Sequence, residues 1–475
     1  MALRVAAALL LATVFFSDTL ATMDTEQRVR LGSKAAAAFL GIGSEVKDRA
    51  LSAIARRIDE SRTQIEAANA ADIAAAERSA LPLPLLKRLG FKGSKIDEAL
   101  KGIEALVKLP DPCGKVLEAR LLDEGLVLRR VSCPIGLIAT IFESRPDALV
   151  QMACLAAKSG NAIVLKGGSE ARETNRVLSA IIAQAGESAG LPVDWLVALE
   201  TRQEIGDLLR LDPYVDLVVP RGSKEFVARI QATSSIPVLG HSDGVCHVYI
   251  HQDADPAMAS ALAIDSKIQY PAACNAAEVL LVHKDFAKRE LLPLLSALDK
   301  AGVRLDICPR CEAVLAQEAS GAGTSEPSAD AGLELPAYSV KNDDEWSVEY
   351  LDMRMAVKIV DSLEDAIGHI NEYGSGHTDT IVSASGEAAA RFMAEVDSAS
   401  VYHNASTRFA DGYRYGLGAE VGISTGKLHA RGPMGLQGLL SYKWLLEGSG
   451  QIVADYASGR RGFVHKDLPL DEKGL

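Results

Sequence analysis

The 475-residue sequence contains no long run of lysine or arginine, and its formal net charge is −13. A basic surface for nucleic acid is therefore not expected. Beyond the N-terminal segment, no stretch is long and apolar enough to span a membrane, so no membrane partner is expected. The seven cysteines are odd in number and are not spaced like a disulfide framework, which favours a reducing compartment.

Two chemical motifs are also missing. No Gly-x-Gly-x-x-Gly follows a predicted strand, so the common dinucleotide-binding fingerprint is absent. Cys308 and Cys311 form a lone Cys-x-x-Cys without a second pair nearby, so no metal site is predicted. A redox role for this pair is the less favoured interpretation.

The N-terminal segment, residues 1–22, has two interpretations. Residues 3–16 are apolar apart from Arg4, and small residues follow, which resembles a short signal for secretion or an organelle. Alternatively, the segment is an extension upstream of a folded protein that begins near Met23. The rest of the chain favours a cytoplasmic location, because secretion would expose a reactive thiol to oxidation.

Hydrophobic spacing predicts two α/β units behind a helical segment. Residues 24–110 carry apolar residues at helical spacing, and residues 116–132 alternate as a hairpin around Asp123-Glu124-Gly125. From residue 135 onward, short apolar strands alternate with helices, which is typical of parallel sheets covered by helices. The two units join near residue 250, and residues 318–336 are predicted to be a surface loop or disordered.

Cys274 is the candidate nucleophile. It follows the apolar helical pattern of residues 259–268 and stands between Pro271 and Asn275, just before a predicted strand. In a turn of this kind the sulfur is exposed, and nearby backbone N–H groups favour the thiolate. The same groups, with Asn275, provide hydrogen bonds for the oxyanion of a tetrahedral intermediate. The alternative is a small buried thiol, the more common use of cysteine.

Two strand ends form a candidate nucleotide site. Lys166 follows the predicted strand 162–165, and nucleotides bind at the carboxyl ends of parallel strands. Gly222 and Ser223 follow the predicted strand 215–219 and open a helix, whose N-terminus favours a pyrophosphate. Each signal alone is weak, since glycine and lysine are common at strand ends, but together they indicate a nucleotide site.

Four arginines are candidate cations for an anionic substrate: Arg145, Arg408, Arg414 and Arg431. An acyl phosphate that also carries a carboxylate needs positive charge at both ends. The alternative for each of them is a solvated surface side chain.

The most distinctive stretch is residues 360–381, VDSLEDAIGHINEYGSGHTDTI. Together with residues 141–146, 271–278 and 408–425, it resembles the gamma-glutamyl phosphate reductase family of the aldehyde dehydrogenase superfamily. The resemblance runs from about Thr25 to Tyr456. The residues just before Cys274 and the stretch 308–336 depart from the family pattern.

This resemblance implies an aldehyde-dehydrogenase-like α/β fold, with two Rossmann-like parallel-sheet domains and a small β oligomerisation element. The implied organisation is an NADPH-binding domain over 23–250, including the hairpin 116–132. A catalytic domain follows over 251–440, and a C-terminal oligomerisation segment and tail over 441–475. Family analogy suggests a homo-oligomer.

The resemblance also implies the reaction. L-glutamate 5-phosphate would be reduced by NADPH to L-glutamate 5-semialdehyde, through a thioester on Cys274, in proline biosynthesis. Functional coupling to a glutamate 5-kinase, which makes the acyl phosphate, is a further expectation.

Site residues carry over by similarity. Lys166 would meet the adenosine ribose or its 2′-phosphate, Gly222 and Ser223 would lie near the pyrophosphate, and Glu349 near the nicotinamide ribose. The loop with Gly422, Ser424 and Thr425 would hold the amino-acid end of the substrate. Arg145 and Arg408, chosen above as candidate cations, are the other expected substrate-binding residues.

Two rival functions stay open. Hydrolytic aldehyde dehydrogenases carry an oxyanion asparagine where this chain has Ser144 or Arg145, and a glutamate base where residues 237–243 read PVLGHSD. Water needs such a base to attack a thioester, whereas phosphate is already an anion, so an aldehyde-oxidising enzyme is disfavoured. The other rival is a non-enzymatic binding or scaffold protein, against which Cys274 and Lys166 argue.

Overall fold

The computed structural model describes residues 23–240, 243–319, 335–341, 345–418 and 420–470. The predictions for residues 1–22 and for most of 318–336 lie outside them. The chain forms two compact units: the first runs to Leu239 and resumes at Gly435, and the second is Gly240–Met434. Among the described residues, no helix is long and apolar enough to cross a bilayer.

The first unit begins with helices, as the hydrophobic spacing predicted. Asp24 starts the first helix by accepting a hydrogen bond from the backbone N–H of Gln27 at 2.8 Å, and the Gln27 side chain bonds back, which completes a capping box. The helices are α1 (Thr25–Phe39), α2 (Ser44–Glu60), α3 (Arg62–Arg78), α4 (Leu83–Leu89) and α5 (Ser94–Lys108). The predicted hairpin follows as β1 (Val116–Asp123) and β2 (Leu126–Pro134), which turn at Gly125 with φ +70°.

A four-stranded parallel sheet forms the core of the first unit. Its strands run in the order β5-β4-β3-β6, and every residue of β3 and β4 is buried, as expected for a sheet covered on both faces. The strands are β3 (Leu137–Phe142), β4 (Ala162–Lys166), β5 (Leu196–Leu199) and β6 (Leu217–Arg221). The helices are α6 (Pro146–Lys158), α7 (Arg172–Ser188), α8 (Arg202–Leu208) and α9 (Lys224–Thr233).

The second unit contains a seven-stranded parallel sheet in the order β10-β9-β11-β8-β7-β12-β13. Its strands are β7 (Cys246–Ile250), β8 (Ala277–His283), β9 (Arg304–Ile307), β10 (Tyr338–Val340), β11 (Arg354–Val360), β12 (Thr378–Val382) and β13 (Ser400–His403). Its helices are α10 (Pro256–Ile268), α11 (Lys284–Lys300), α12 (Pro309–Ala319), α13 (Leu363–Tyr373) and α14 (Gly386–Glu395). The short pair β14 (Gly422–Ser424) and β15 (Gly432–Met434) lies outside this sheet.

The chain then returns to the first unit. The strand β16 (Leu440–Glu447), the helix α15 (Val453–Ala457) and the strand β17 (Lys466–Asp467) follow. They extend the hairpin into an antiparallel sheet in the order β16-β2-β1-β17. The predicted fold class, two parallel-sheet units with a small β element, is confirmed.

The division between the units lies just before the predicted boundary at residue 250. The strand β7 pairs with β8 and β12 of the second sheet, so it belongs to the second unit. The functional roles assigned to the two domains stay predictions.

Candidate active site

Cys274 lies in the turn between α10 and β8, at the amino edge of the second sheet. The turn is closed by backbone hydrogen bonds from Ala273 to Tyr270 (3.2 Å) and from Ala276 to Ala273 (2.9 Å). The strands β7 and β12 begin at the same edge, because neighbouring parallel strands point the same way. Residues at the starts of these strands therefore converge on the Cys274 turn.

His377, which precedes β12, contacts the candidate nucleophile. Its Nε2 lies 3.2 Å from the Sγ of Cys274, and its Nδ1 lies 2.8 Å from the hydroxyl of Thr378. Only 1% of His377 is exposed. The sequence reasoning missed this residue, although it lies in the distinctive stretch 360–381.

Cys246, the first residue of β7, holds the backbone of Cys274. Its thiol donates to the carbonyl oxygen of Cys274 over 3.3 Å. Burial, and then the charge of Asp379, raise the pKa of the Cys246 thiol well above its ordinary value, so it stays a protonated donor. Cys246 is therefore a buried structural thiol in this unit.

Gly244 separates the Cys274 turn from Glu349. A Cβ on Gly244 would lie 2.0 Å from the carbonyl oxygen of Cys274, so no larger residue fits here. The N–H of Gly244 donates to Oε1 of Glu349 at 3.0 Å. The backbone of one glycine thus links Glu349 to the candidate nucleophile.

Asn275 is 4% exposed, and its Nδ2 donates to the carbonyl oxygen of Ala410 at 2.8 Å. This bond uses one of the two amide hydrogens. The side chain thereby ties the Cys274 turn to the segment that carries Arg408.

Arg408 is 8% exposed and interacts electrostatically with Cys274. Its Nε donates to the side-chain oxygen of Gln269 at 2.9 Å. Arg414, another of the predicted arginines, donates to the backbone carbonyl of Arg408. Burial, and then the like charge of Arg414, lower the pKa of the Arg408 guanidinium, which nevertheless stays a cation at neutral pH.

A buried ion pair brackets the cysteine turn. Lys267 near the end of α10 and Glu278 in β8 are both fully buried, with 2.7 Å between Nζ and Oε2. Burial raises the pKa of the Glu278 carboxyl to about 7, because lost hydration outweighs the attraction of Lys267. The other oxygen of Glu278 accepts the N–H of Leu351 at 3.4 Å, next to the Glu349 segment.

The remaining substrate candidates of this unit lie at a separate strand pair. Gly422 and Ser424 are the buried ends of β14, and Thr425 follows directly. Arg431, at the start of the returning strand, donates to a carboxylate oxygen of Asp397 at 2.9 Å. Arg431 is therefore paired within the protein.

In the first unit, Lys166 ends β4 and is 3% exposed. Its ammonium donates to the carbonyl of Gly167, and burial lowers its pKa. A cleft of about 630 Å³ lies beside Gly167 and Gly168. A Cβ on Gly167 would lie 2.1 Å from the side-chain nitrogen of Asn175, so a larger residue here would displace that side chain.

Gly222 and Ser223 join β6 to α9, as predicted. Ser223 caps the helix by accepting the N–H of Phe226 at 3.4 Å. Its own N–H donates to Oε2 of Glu143 at 3.2 Å. A carboxylate therefore lies at the helix N-terminus that was predicted to bind a pyrophosphate, and it would have to move away for the phosphate to bind there.

Arg145 caps α6 and forms an exposed ion pair with Asp147 at 3.0 Å. The neighbouring Ser144 has φ +45° and donates both its N–H and its hydroxyl to Glu170 at 2.6 Å. Ser144, one of the two candidates for the oxyanion position, is thus bound to an internal carboxylate.

The pair Cys308 and Cys311 lies at the start of α12, with 3.5 Å between the sulfur atoms. Both cysteines are buried, and no cluster of metal-ligating side chains occurs in the parts of the chain that the structure describes.

Comparisons with known proteins show which family the chain resembles. The chain matches the aldehyde dehydrogenase family over residues 87–306. It is 51% identical to a gamma-glutamyl phosphate reductase of Pelotomaculum thermopropionicum over 94% of this chain and 99% of the relative. A relative of the same name from Acetivibrio thermocellus is 50% identical over 90% of this chain and 95% of its own length.

Solved structures show the same similarity. The crystal structure of gamma-glutamyl phosphate reductase from Thermotoga maritima superposes with a TM-score of 0.83 at 34% identity, covering 90% of this chain and 98% of the other. The fold and the cysteine site define an oxidoreductase of the aldehyde dehydrogenase superfamily, a class that uses a nicotinamide cofactor. Within that class, the chain belongs to the gamma-glutamyl phosphate reductase family.

Proposed function

We propose that this protein reduces L-glutamate 5-phosphate to L-glutamate 5-semialdehyde and phosphate, with NADPH as the hydride donor, in L-proline biosynthesis. The observation that carries the proposal is the setting of Cys274, whose sulfur contacts a buried imidazole in a chain of this family. The fate of the thioester on Cys274 distinguishes the possible reactions: hydride reduces it to the aldehyde, phosphate converts it to the acyl phosphate, and water hydrolyses it to the acid.

The first step is acyl transfer to sulfur. The thiolate of Cys274 attacks the acyl carbon of the substrate, the carbon–oxygen bond to phosphate breaks, and phosphate leaves with the electron pair. Phosphate is a good leaving group, so this step needs little acid catalysis. Backbone N–H groups of the turn and the second amide hydrogen of Asn275 stabilise the oxyanion.

The cofactor, when bound, supplies the hydride that reduces the thioester. Lys166, Gly222, Ser223 and Glu349 are the residues proposed to hold it. The buried ammonium of Lys166 suits a phosphate-bearing ribose, which supports NADPH. The thiohemiacetal on Cys274 then loses its carbon–sulfur bond and releases the aldehyde.

Cations and a polar loop are proposed to hold the substrate. Arg408 is buried beside Cys274 and suits an anionic group near the reacting carbon, and Arg145 is the other candidate. Gly422, Ser424 and Thr425 are proposed to bind the amino-acid end.

The missing glutamate base supports reduction over hydrolysis. Residues 237–243 contain no glutamate, so water lacks the glutamate base that hydrolytic aldehyde dehydrogenases carry in that segment. The thioester then survives until it meets hydride or, in the reverse direction, phosphate.

The proposal extends to partners and location. A homo-oligomer is supported by β16, which exposes Tyr442, Trp444 and Leu446 on alternate positions. Acyl phosphates are labile, so coupling to a glutamate 5-kinase would supply the substrate. A cytoplasmic location would keep Cys274 reduced.

The test is oxidation of glutamate semialdehyde by NADP+ with and without phosphate. Activity that requires phosphate is expected. Cys274→Ser should abolish it while NADPH binding, followed by fluorescence, is retained, and Cys133→Ser should keep wild-type turnover. Near wild-type rates in Cys274→Ser would refute the assignment. Activity that ignores phosphate would indicate an oxidising dehydrogenase, and no activity in either direction would favour a binding protein.

A further inference from the structure

We infer that His377 is a catalytic residue, which accepts the thiol proton of Cys274 and holds the sulfur as a thiolate for attack. The inference rests on the proposed function for the identity of the substrate, but not for the state of the sulfur. It adds a proton acceptor to a site in which the sequence had indicated only a nucleophile and oxyanion donors.

The geometry carries the inference. The 3.2 Å between Nε2 of His377 and Sγ of Cys274 is a hydrogen-bonding distance for sulfur. The two residues are 103 positions apart in the chain, so the contact is made by the fold. His377 is 1% exposed, and its backbone is fixed at the start of the buried strand β12. The imidazole is therefore held against the sulfur.

Thr378 orients the ring. The Nδ1 of His377 lies 2.8 Å from the Thr378 hydroxyl, and Thr378 is fully buried. When this hydroxyl accepts the Nδ1 hydrogen, Nε2 carries the lone pair that faces Cys274. Thr378 is a positioning residue in this arrangement, because it acts on the sulfur only through the imidazole.

Two protons are involved: the thiol proton cycles between these two side chains, and the released phosphate takes up a second proton from solvent. The sulfur–hydrogen bond of Cys274 breaks, the proton moves to Nε2 of His377, and the thiolate forms the bond to the acyl carbon. Phosphate leaves with the electron pair of the broken carbon–oxygen bond. When the carbon–sulfur bond later breaks, the electron pair returns to sulfur and His377 gives the proton back.

Other charged groups face the pair and bear on its titration. Arg408 is a buried cation that also favours the thiolate. Cys246 stays protonated and contacts Cys274 through the backbone carbonyl of that residue. Glu349 accepts the N–H of Gly244 on the far side of the turn, and it disfavours the thiolate.

Further charges lie on the side of His377. Asp379 is fully buried and accepts from the backbone and ring of His247 at 2.7 and 2.9 Å. Arg431 and Asp397 form an ion pair next to the backbone of Gly376. Removing His377 leaves all these charges in place, so a change in the titration of Cys274 reports the imidazole.

The test is the pH dependence of Cys274 alkylation by iodoacetamide in the full-length protein, read by mass spectrometry of the Cys274 peptide. Less basic thiolates are weaker nucleophiles, so the midpoint of the profile is the readout, not the rate at one pH. In His377→Gln the midpoint is expected to rise by at least about one pH unit, toward the value of an ordinary thiol near 8.5. His403→Gln, the same change at an exposed histidine of this unit, should leave it unchanged.

Thr378 supplies a second, independent variant. Thr378→Val keeps the shape and removes the hydroxyl, so it should raise the midpoint as well, and Thr378→Ser should restore it. A His377→Gln profile that matches the wild type in folded protein would overturn the inference, as would identical profiles for the valine and serine variants. Alkylation needs neither substrate nor cofactor, so a failed phosphate-dependence assay with a shifted midpoint would refute the proposed substrate and leave the role of His377 intact.

Discussion

The buried ion pair that brackets the cysteine turn is predicted to stabilise the protein only as a pair. Lys267 and Glu278 are both fully buried and lie 2.7 Å apart. Glu278→Leu leaves the ammonium of Lys267 in the interior without its carboxylate, which is expected to lower the free energy of unfolding by about 3–5 kcal/mol. The double variant Lys267→Met/Glu278→Leu should cost less, because no buried charge remains.

Lys267→Met has a different pH dependence, whose sign follows from the pKa of Glu278. The folded protein holds the Glu278 proton up to about pH 7, whereas the unfolded chain releases it near 4.5, so stability falls as the pH rises between these values. In the wild type the fall ends where Glu278 ionises beside Lys267. Without Lys267 the carboxyl stays protonated to higher pH, and the fall continues at about 1.4 kcal/mol per pH unit.

Urea unfolding at pH 6 and pH 8 measures both effects. The difference between wild type and Lys267→Met should be larger at pH 8. The control is Glu60→Leu, which breaks the half-exposed ion pair with Arg57 and should cost at most about 1 kcal/mol. If Glu278→Leu costs no more than Glu60→Leu, the buried pair does not act as argued.

Two further predictions concern packing and acid stability. Gly244→Ala places a Cβ 2.0 Å from the carbonyl oxygen of Cys274, so turnover is expected to fall at least about ten-fold. The control is Gly386→Ala, whose Cβ meets nothing within 4 Å and which should keep wild-type turnover. An equally active Gly244→Ala would contradict the close contact. Burial lowers the pKa of His369 to about 3, so the imidazole stays neutral in the folded protein while it gains a proton in the unfolded chain as the pH falls. The wild type should therefore lose about 2 kcal/mol of unfolding free energy between pH 7 and pH 5, a loss that His369→Phe should not show. Equal losses of the two proteins in urea unfolding would refute a neutral buried imidazole.

Much of the fold was predictable because each element has its own hydrophobic period. The predicted alternation of short strands and helices from residue 135 onward is present, as in the strands Arg304–Ile307 and Arg354–Val360 and the helix Leu363–Tyr373. The strand Cys246–Ile250 precedes the predicted boundary but pairs with the second sheet, because chain order does not specify which strands pair in a parallel sheet. Such pairing depends on contacts between distant segments.

The candidate site was also predictable only where its features are local in the sequence. Cys274 was recognisable from its local turn, but His377 was not, because their contact spans 103 positions and no spacing rule relates them. Glu143 shows a second limit. The helix start at Ser223 was predicted. The contact of the Ser223 N–H with the Glu143 carboxylate was not, because Glu143 follows a different strand.

Because Cys274 lies at the amino edge of the second sheet, the positive charge that stabilises its thiolate has to come from other segments of the chain. Cys274 follows α10, which ends at Ile268, so its thiolate does not lie at the N-terminus of this helix. Reactive cysteines more often lie at helix N-termini, where the dipole lowers the energy of the thiolate. At this amino edge the compensating charge has to come from side chains. Arg408 and a protonated His377 both interact with Cys274, so both should contribute to thiolate formation.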